Sequence, residues 1–269
     1  MVEANSGMRK PIITLTTDFG TTDHYVAVMK GVILGLCPNA TLVDVSHDVQ
    51  PFEVTEGAFV IAQAYRYFPR KTVHVVVVDP GVGTTRRPLL MEAGGQYFIG
   101  PDNGVFSMVF TREKHKVREM TADKFFLKPV SRTFHGRDVF APAAAHLASG
   151  ATPAQFGKVV IDYLRMNLEH PPRTGKRTWT GLILKIDRFG NLITNLQSED
   201  FRDLALRPFE MQVGVQKISK IVQTFAEAEI GEVFLIMGSS GYLEVVANQG
   251  SAARLLGCGA GAPVDLSIY

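Results

Sequence analysis

Val73-His74-Val75-Val76-Val77-Val78-Asp79-Pro80-Gly81-Val82-Gly83-Thr84-Thr85-Arg86-Arg87 is an apolar run that stops at an acid and a glycine-bearing turn. Mostly β-branched side chains without a helical period suit a strand at the centre of a parallel sheet, covered on both faces. In open sheets of that kind ligands bind beyond the carboxyl ends of the strands, which is where Asp79 would lie. Pro80, Gly81 and Gly83 let the backbone turn sharply and approach a ligand closely. The turn lacks the Gly-Lys-Ser/Thr ending of a P-loop and the chain has no GxGxxG, so a phosphate cradle is disfavoured.

Working outward, residues 11–17 read as a strand ending at Thr16-Thr17-Asp18-Phe19-Gly20. Residues 25–36 carry Val26, Met29, Ile33 and Leu36 at helical spacing. Residues 40–45 read as a second strand, 54–68 as a helix and 73–78 as a third strand, an alternation that implies a three-layer α/β domain with a mostly parallel sheet. Residues 89–91 and 97–99, separated by Gly94-Gly95, predict a hairpin, and 139–148 a helix after the polar 131–138 loop. The domain is expected over 1–170, with a proline-, arginine- and threonine-rich linker at 171–178. Short strands at 180–186, 192–196, 211–215, 233–237 and 242–246, with turn signals between them, predict a smaller β-barrel domain over 179–269. No internal repeat or low-complexity tract stands out.

Composition narrows the function classes. Lys+Arg 28 against Asp+Glu 26 leaves a net charge of +2, which argues for no nucleic-acid partner, and the basic residues are too scattered for a stripe. Residues 1–10 lack a long apolar leader core, and no stretch has the roughly 18 uninterrupted apolar residues of a membrane span. A soluble cytoplasmic protein is the expectation. Cys37 and Cys258 stand far apart, with no pattern for a disulfide framework or thiolate cage, and read as buried small hydrophobes.

Several groups can carry chemistry. Asp18, between a strand and a helix, would project at the sheet's carboxyl edge, where acids accept hydrogen bonds from ribose hydroxyls, or it caps the helix. Asp79 and Arg86 could form a surface pair worth at most about 1 kcal/mol. His135, in Thr133-Phe134-His135-Gly136-Arg137-Asp138, is flanked by glycine and charge rather than by core residues. Together with the aspartate it could orient and deprotonate a water, both acting as acceptors. Asp44, His47 and Asp48, with Asp23-His24, offer oxygen and imidazole donors, but their spacing matches no sharp metal signature and solvated loops explain them better. Asp187-Arg188-Phe189-Gly190-Asn191 and Gly238-Ser239-Ser240-Gly241-Tyr242 read first as turns, although Phe189 could stack on a base and Asn191 contact its edge.

Taken together, Thr17-Asp18-Phe19-Gly20, Asp79-Pro80-Gly81-Val82-Gly83-Thr84, Pro101-Asp102-Asn103-Gly104, Thr133-Phe134-His135-Gly136-Arg137-Asp138, Asp187-Arg188-Phe189-Gly190-Asn191 and Ser239-Ser240-Gly241-Tyr242-Leu243 resemble one family in order along the chain. It is that of the S-adenosyl-L-methionine (SAM) hydroxide adenosyltransferases, or adenosine-forming SAM hydrolases, related to the SAM-dependent fluorinase and chlorinase. The resemblance runs from about Pro11 to the carboxyl terminus. It implies an α/β domain followed by a β-barrel, and a homotrimer with active sites between the first domain of one subunit and the second domain of the next.

By that resemblance Asp79, Arg86 and His135 form the catalytic triad and Asp18 holds the ribose hydroxyls. Phe189 and Asn191 bind adenine with Phe225 beside them, and Asp187 and Ser239 hold the methionine amine and carboxylate. Phe52, Val82, Phe134 and Asn248 complete the substrate-binding set. The resemblance implies no metal and no cofactor, SAM being the substrate and adenosine and methionine the products. Halogenating relatives carry tyrosine or another residue unable to form the triad at the positions of Asp79 and His135, and a longer insertion in the first domain. Here the triad is intact and the connection 91–96 is short. Ser240 stands where the halogenases have an arginine, and Phe52 replaces a tryptophan of the fluorinase. A SAM-dependent halogenase, an idle adenosine- or SAM-binding protein and a metal-dependent hydrolase using the cluster at 44–48 are the alternatives.

Overall fold

The computed structural model describes residues 10–269. Most of the amino-terminal stretch read for a leader lies outside the described residues. No helix among them is long and apolar enough to cross a membrane. The chain divides into two compact units, one ending at Met166 and the other Asn167–Tyr269.

The first unit runs β1 (Ile12–Thr17), α1 (Tyr25–Leu36), β2 (Thr41–Ser46), α2 (Val54–Ala64), β3 (Val73–Val77), β4 (Pro88–Ala93), β5 (Gln96–Pro101), α3 (Ser107–Arg112), β6 (His115–Glu119), α4 (Ala141–Ala148) and β7 (Val159–Val160). Its sheet has the order β2-β1-β3-β5-β4-β6-β7. The strands β2, β1, β3 and β5 are parallel neighbours, and β4, β6 and β7 extend the sheet by antiparallel pairing. Every residue of β3 is buried, as expected of a strand covered on both faces. Ile13, Leu15, Val73, Val75 and Val77 share one core with Met29 and Ile33 of α1 and the alanines of α4. On the opposite face Gly57 brings α2 so close that a Cβ there would lie 2.9 Å from the Val78 side chain.

Two helix boundaries differ from expectation for local reasons. The helix expected over 54–68 ends as an α-helix at Ala64 and tightens into a 3₁₀ turn, Tyr65–Tyr67. The helix expected at 139 begins earlier, as a π-helical turn, Gly136–Phe140, directly after His135. The strand β6 went unread because His-Lys-Val-Arg-Glu buries only Val117 fully and looks like a solvated loop.

The second unit contains β8 (Thr178–Ile186), β9 (Leu192–Gln197), β10 (Phe209–Val213), β11 (Gln216–Ile218), β12 (Ile221–Val222), β13 (Val233–Met237), β14 (Tyr242–Ala247), α5 (Ala252–Leu256) and β15 (Pro263–Ile268). These strands form one sheet, β11-β10-β15-β8-β9-β14-β13-β12. It curls until β11 returns against β13, a barrel-like form. Leu192, Leu196, Met211, Val213, Leu235, Leu243, Val264 and Leu266 fill the inside. Gly214, at φ +59°, turns β10 into β11 two residues before the expected end. The Pro/Arg/Thr stretch folds back on β8, with Thr180 N–H donating to Pro172 O at 3.1 Å and Arg173 lying 5.3 Å from the Trp179 ring centroid.

Under α2 the fully buried His74 is bonded at both ring nitrogens. The Gln96 amide nitrogen donates to the carbonyls of Tyr65, Phe68 and Pro69. Its Oε1 is therefore left to accept from His74 Nε2–H at 3.2 Å, and Thr14 Oγ1 donates to Nδ1 at 2.7 Å. Burial pushes the imidazole pKa down to about 4, with the Gln96 bond opposing. The unfolded chain binds this proton below its ordinary value near 6.5, so stability is full above that pH and falls as pH drops toward 4. The loss amounts to about 3 kcal/mol from this one group. Urea denaturation at pH 7.5 and 4.5 should show it, and His74→Gln, weaker at pH 7.5, should lose less on acidification.

Candidate active site

Asp79 leaves the end of β3 and is met by Arg86 across the turn. Arg86 Nε donates to Oδ1 at 2.9 Å, and Nη2 donates to Oδ2. The two side chains are only 4% and 8% exposed, so this is a buried, two-pronged ion pair and not the surface pair considered above. The Arg86 guanidinium lies 5.3 Å from the Phe140 ring centroid, and its buried Nη1 has no hydrogen-bond partner among the described residues. Asn103 fixes the peptide that delivers Asp79, donating from Nδ2 to Val78 O at 2.8 Å. Within the turn Val82 N–H donates to Asp79 O, and the Thr84 hydroxyl to Gly81 O at 2.7 Å. Arg87 turns away to Asp102 and Asp162.

His135 reaches this pair because two loops touch backbone to backbone. Gly83 has φ +75°, and a Cβ there would stand 2.1 Å from Arg132 O, so only glycine permits the approach. Asp138, itself buried, holds the base of the second loop, accepting from Ser131 N–H at 2.8 Å and from Arg137 Nε at 2.6 Å. Burial raises its carboxyl pKa, but these bonds outweigh burial and hold it below the ordinary value. The result places His135 Nδ1 2.8 Å from Arg86 Nη2.

A guanidinium only donates, so Nδ1 carries the lone pair and the neutral ring bears its proton on Nε2. Burial first, and the Arg86 charge second, lower the imidazole pKa, while Asp79, Asp138 and a hydrogen bond with the Ser131 backbone pull the other way. In this arrangement the one lone pair of the neutral ring is directed at Arg86.

Asp18 stands at the end of β1, near enough to Asp79 to feel its charge. Burial raises its carboxyl pKa, the Phe52 backbone bond lowers it, and Asp79 raises it further. Asp18 is no cap of α1, whose N-cap residue is His24. Its Oδ2 accepts from Phe52 N–H at 2.9 Å. Phe52 sits at φ +71°, a conformation costly for a bulky residue, with its ring 71% exposed. Phe134 packs edge-on to Phe19 and Tyr25, at 6.0 and 5.1 Å.

Asp44 and His47 of the 44–48 cluster are engaged by the fold, and Asp48 is exposed. Asp44 accepts from Lys30 at 2.6 Å and lies 3.0 Å from His47 Nε2, and His47 Nδ1 bonds Thr17 Oγ1 at 2.8 Å.

The second unit carries the remaining candidates. In the β8–β9 loop Asp187 Oδ1 accepts from the N–H groups of Phe189 and Asn191, each at 2.9 Å, and Oδ2 from Asn191 Nδ2 at 2.9 Å. This closed loop leaves the Phe189 ring 77% exposed and Asn191 buried, one amide hydrogen already committed. Gly190, at φ +88°, is packed where a Cβ would meet Ser251 Oγ at 2.1 Å. Phe225 stands edge-on to Phe234, and Asn248 Nδ2 donates to Ala228 O at 2.7 Å. Ser239 is exposed in the β13–β14 turn.

One residue here escaped the sequence reading. Ser240 donates to Glu244 Oε1 at 3.1 Å, and the Glu244 carboxyl pKa is raised by burial, lowered by Ser240, and raised by the charge of Asp187. Its signal was an acid within the apolar run Tyr242-Leu243-Glu244-Val245-Val246.

Comparison with known proteins agrees in both units. Residues 13–157 match the SAM hydroxide adenosyltransferase N-terminal domain, and 181–265 its C-terminal domain. A Salinispora tropica protein named (R)-S-adenosyl-L-methionine hydrolase is 38% identical over 251 residues, covering 92% of this chain and 94% of its own. A Nocardia brasiliensis fluorinase is 29% identical over 301 residues, covering 97% and 98%. A crystal structure of an uncharacterized conserved protein from Thermotoga maritima superposes with a TM-score of 0.86 at 34% identity, covering 95% of this chain and 99% of that one.

The contact between Gly83 and Arg132 can be tested directly. Gly83→Ala adds both left-handed strain and a backbone clash and should cost about 1–3 kcal/mol in urea denaturation. Gly20→Ala, also left-handed at φ +65° but with nothing within 4 Å of the added Cβ, should cost about 1–2 kcal/mol, the strain alone.

Proposed function

The chain belongs to the SAM hydroxide adenosyltransferase family, and from that premise we propose that it hydrolyses S-adenosyl-L-methionine to adenosine and L-methionine. The observation that carries the reading is the buried Asp79–Arg86 pair with His135 against it, beside Asp18, whose carboxyl has no ion-pair partner among the described residues. The reaction needs little of the protein at sulfur, because the sulfonium departs as a neutral thioether. The water oxygen forms a bond to the ribose 5′-carbon as the carbon–sulfur bond breaks, its electron pair going to sulfur and the water proton to a base. Positioning that water in line and accepting its proton are the tasks left to side chains. A dry site strengthens the attraction between hydroxide and sulfonium. The equation balances without a cofactor, and none is part of the proposal.

In this reading Asp18 accepts from the ribose hydroxyls, with Phe52, Val82 and Phe134 lining the sugar. Phe189, Asn191 and Phe225 contact adenine, and Asn248 supports them. Asp187 and Ser239 bind the amine and carboxylate of the methionine part, and Glu244 adds a second acid beside Asp187, which suits an ammonium group. The reading extends to the (R) sulfonium epimer named for the relatives, to a homotrimer and to a cytoplasmic setting. Asp79 and His135, which the resemblance gives to the hydrolase branch and not to the halogenases, favour water over halide as nucleophile.

Incubation with SAM and chromatography should yield adenosine and methionine, faster from the (R) epimer, with no 5′-chloro-5′-deoxyadenosine in chloride buffer. Asp79→Ala should lower the rate by about 10² to 10⁴. SAM left unchanged, or an alanine variant as fast as the parent, would overturn the reading, and sedimentation tests the trimer. Because the Asp18 pKa is raised, KM should climb, as pH falls, at a pH above that of an ordinary aspartate near 3.9. Asp18→Asn should show a high KM without that climb.

A further inference from the structure

We propose that His135 is a positioning residue: it holds Arg86 in its Asp79-bound pose and takes no proton from the attacking water, which leaves Asp79 as the base. The inference rests on the hydrolase reading and adds a division of labour within it. Arg86 Nη2 is shared between Asp79 Oδ2 and His135 Nδ1. A guanidinium has no lone pair to offer, so this contact exists only while Nδ1 is unprotonated and accepting. Protonating Nδ1 would set an N–H against an N–H beside a fixed positive charge, and burial first, with Arg86 second and Asp79, Asp138 and the Ser131 backbone opposing, leaves the ring's pKa lowered.

The other nitrogen carries the hydrogen and is a donor. An imidazole whose single lone pair faces a cation is no base at neutral pH. Asp79 differs in kind. Each of its carboxylate oxygens accepts once from Arg86 and keeps a second lone pair. In the balanced step a water proton moves to Asp79 while the oxygen bonds the 5′-carbon, and the proton later returns to solvent.

What His135 supplies is direction. A guanidinium can present its Nε/Nη2 edge or its Nη1/Nη2 edge to a carboxylate. An acceptor at Nη2, with the Phe140 ring beside the guanidinium, selects the first. The position of that acceptor is fixed in turn by the Gly83–Arg132 contact and by Asp138 holding Ser131.

The test uses His135→Asn, whose Oδ1 stands close to where Nδ1 stood and accepts from Arg86, but whose amide is no base. His135→Ala should slow kcat by about 10² or more. His135→Asn should recover to within about tenfold of the parent, with kcat/KM following the same pH dependence between pH 5.5 and 8. An asparagine variant as slow as alanine, together with a histidine limb present in the parent and lost in the variant, overturns the inference. Calorimetric SAM binding and thermal melting confirm that both variants fold. If the parent leaves SAM intact, the hydrolase reading fails instead. The ring arrangement is then still read by nitrogen NMR of His135, where an unprotonated Nδ1 and a protonated Nε2 at pH 7 support it and the reverse overturns it.

Discussion

Asp79 and Arg86 are nearly shut off from water, and each tolerates that position only because the other is there. A solvated pair of this kind would be worth at most about 1 kcal/mol. Here the desolvation of both ions makes the partnership obligatory, and removing one would strand the other at a cost of about 3–5 kcal/mol. The 80–85 turn therefore has one geometry that works. Asn103 holds the peptide before Asp79, and Gly83 lets the 131–135 loop close down on the turn. The bonds within the turn bring Arg86 back to the acid it follows.

The same pair divides two neighbouring carboxyls by environment. Asp79 has a full-time cation. Asp18 has partial burial, the backbone N–H groups of Phe52 and of Asp18 itself, and a negatively charged neighbour, and burial with that neighbour raises its carboxyl pKa. Two aspartates at the ends of adjacent parallel strands are thus made chemically different by what surrounds them, one tied to a guanidinium and one with lone pairs open to hydroxyl donors. The exposed Phe52 ring belongs to this arrangement. Its left-handed backbone aims the N–H at Asp18, so local strain is tolerated where a bond to the site is gained.

The parts legible in the sequence were those in which one physical rule dominates. Val73 to Val78 announce a doubly covered strand, Val26, Met29 and Ile33 a helix face, and Gly94-Gly95 a hairpin, because burial and turn chemistry act there alone. The order of the acid-bearing turns carried the family. What stayed hidden depends on partners remote in sequence. The strand β6 is polar because it pairs between β4 and β7 without a full apolar face, and β15 alternates weakly yet fills the gap between β10 and β8. The π-helical turn after His135 is not written in any propensity of Gly-Arg-Asp-Val-Phe. The tautomer of His135 could not be read at all, since it follows from the position of Arg86, and the Glu244 carboxyl gains meaning only beside Asp187.

Charge balance follows from the pairing of Arg86. Its positive charge is cancelled by Asp79, as that of Arg137 is by Asp138, and His135 beside them is neutral at its Nδ1. With Asp18 ionised, the two pairs and Asp18 together are net negative. A halide would have to shed its hydration beside a guanidinium already neutralised by Asp79, whereas an uncharged water meets a smaller desolvation cost. The guanidinium that looks suited to attract anions is, once paired, part of what turns them away.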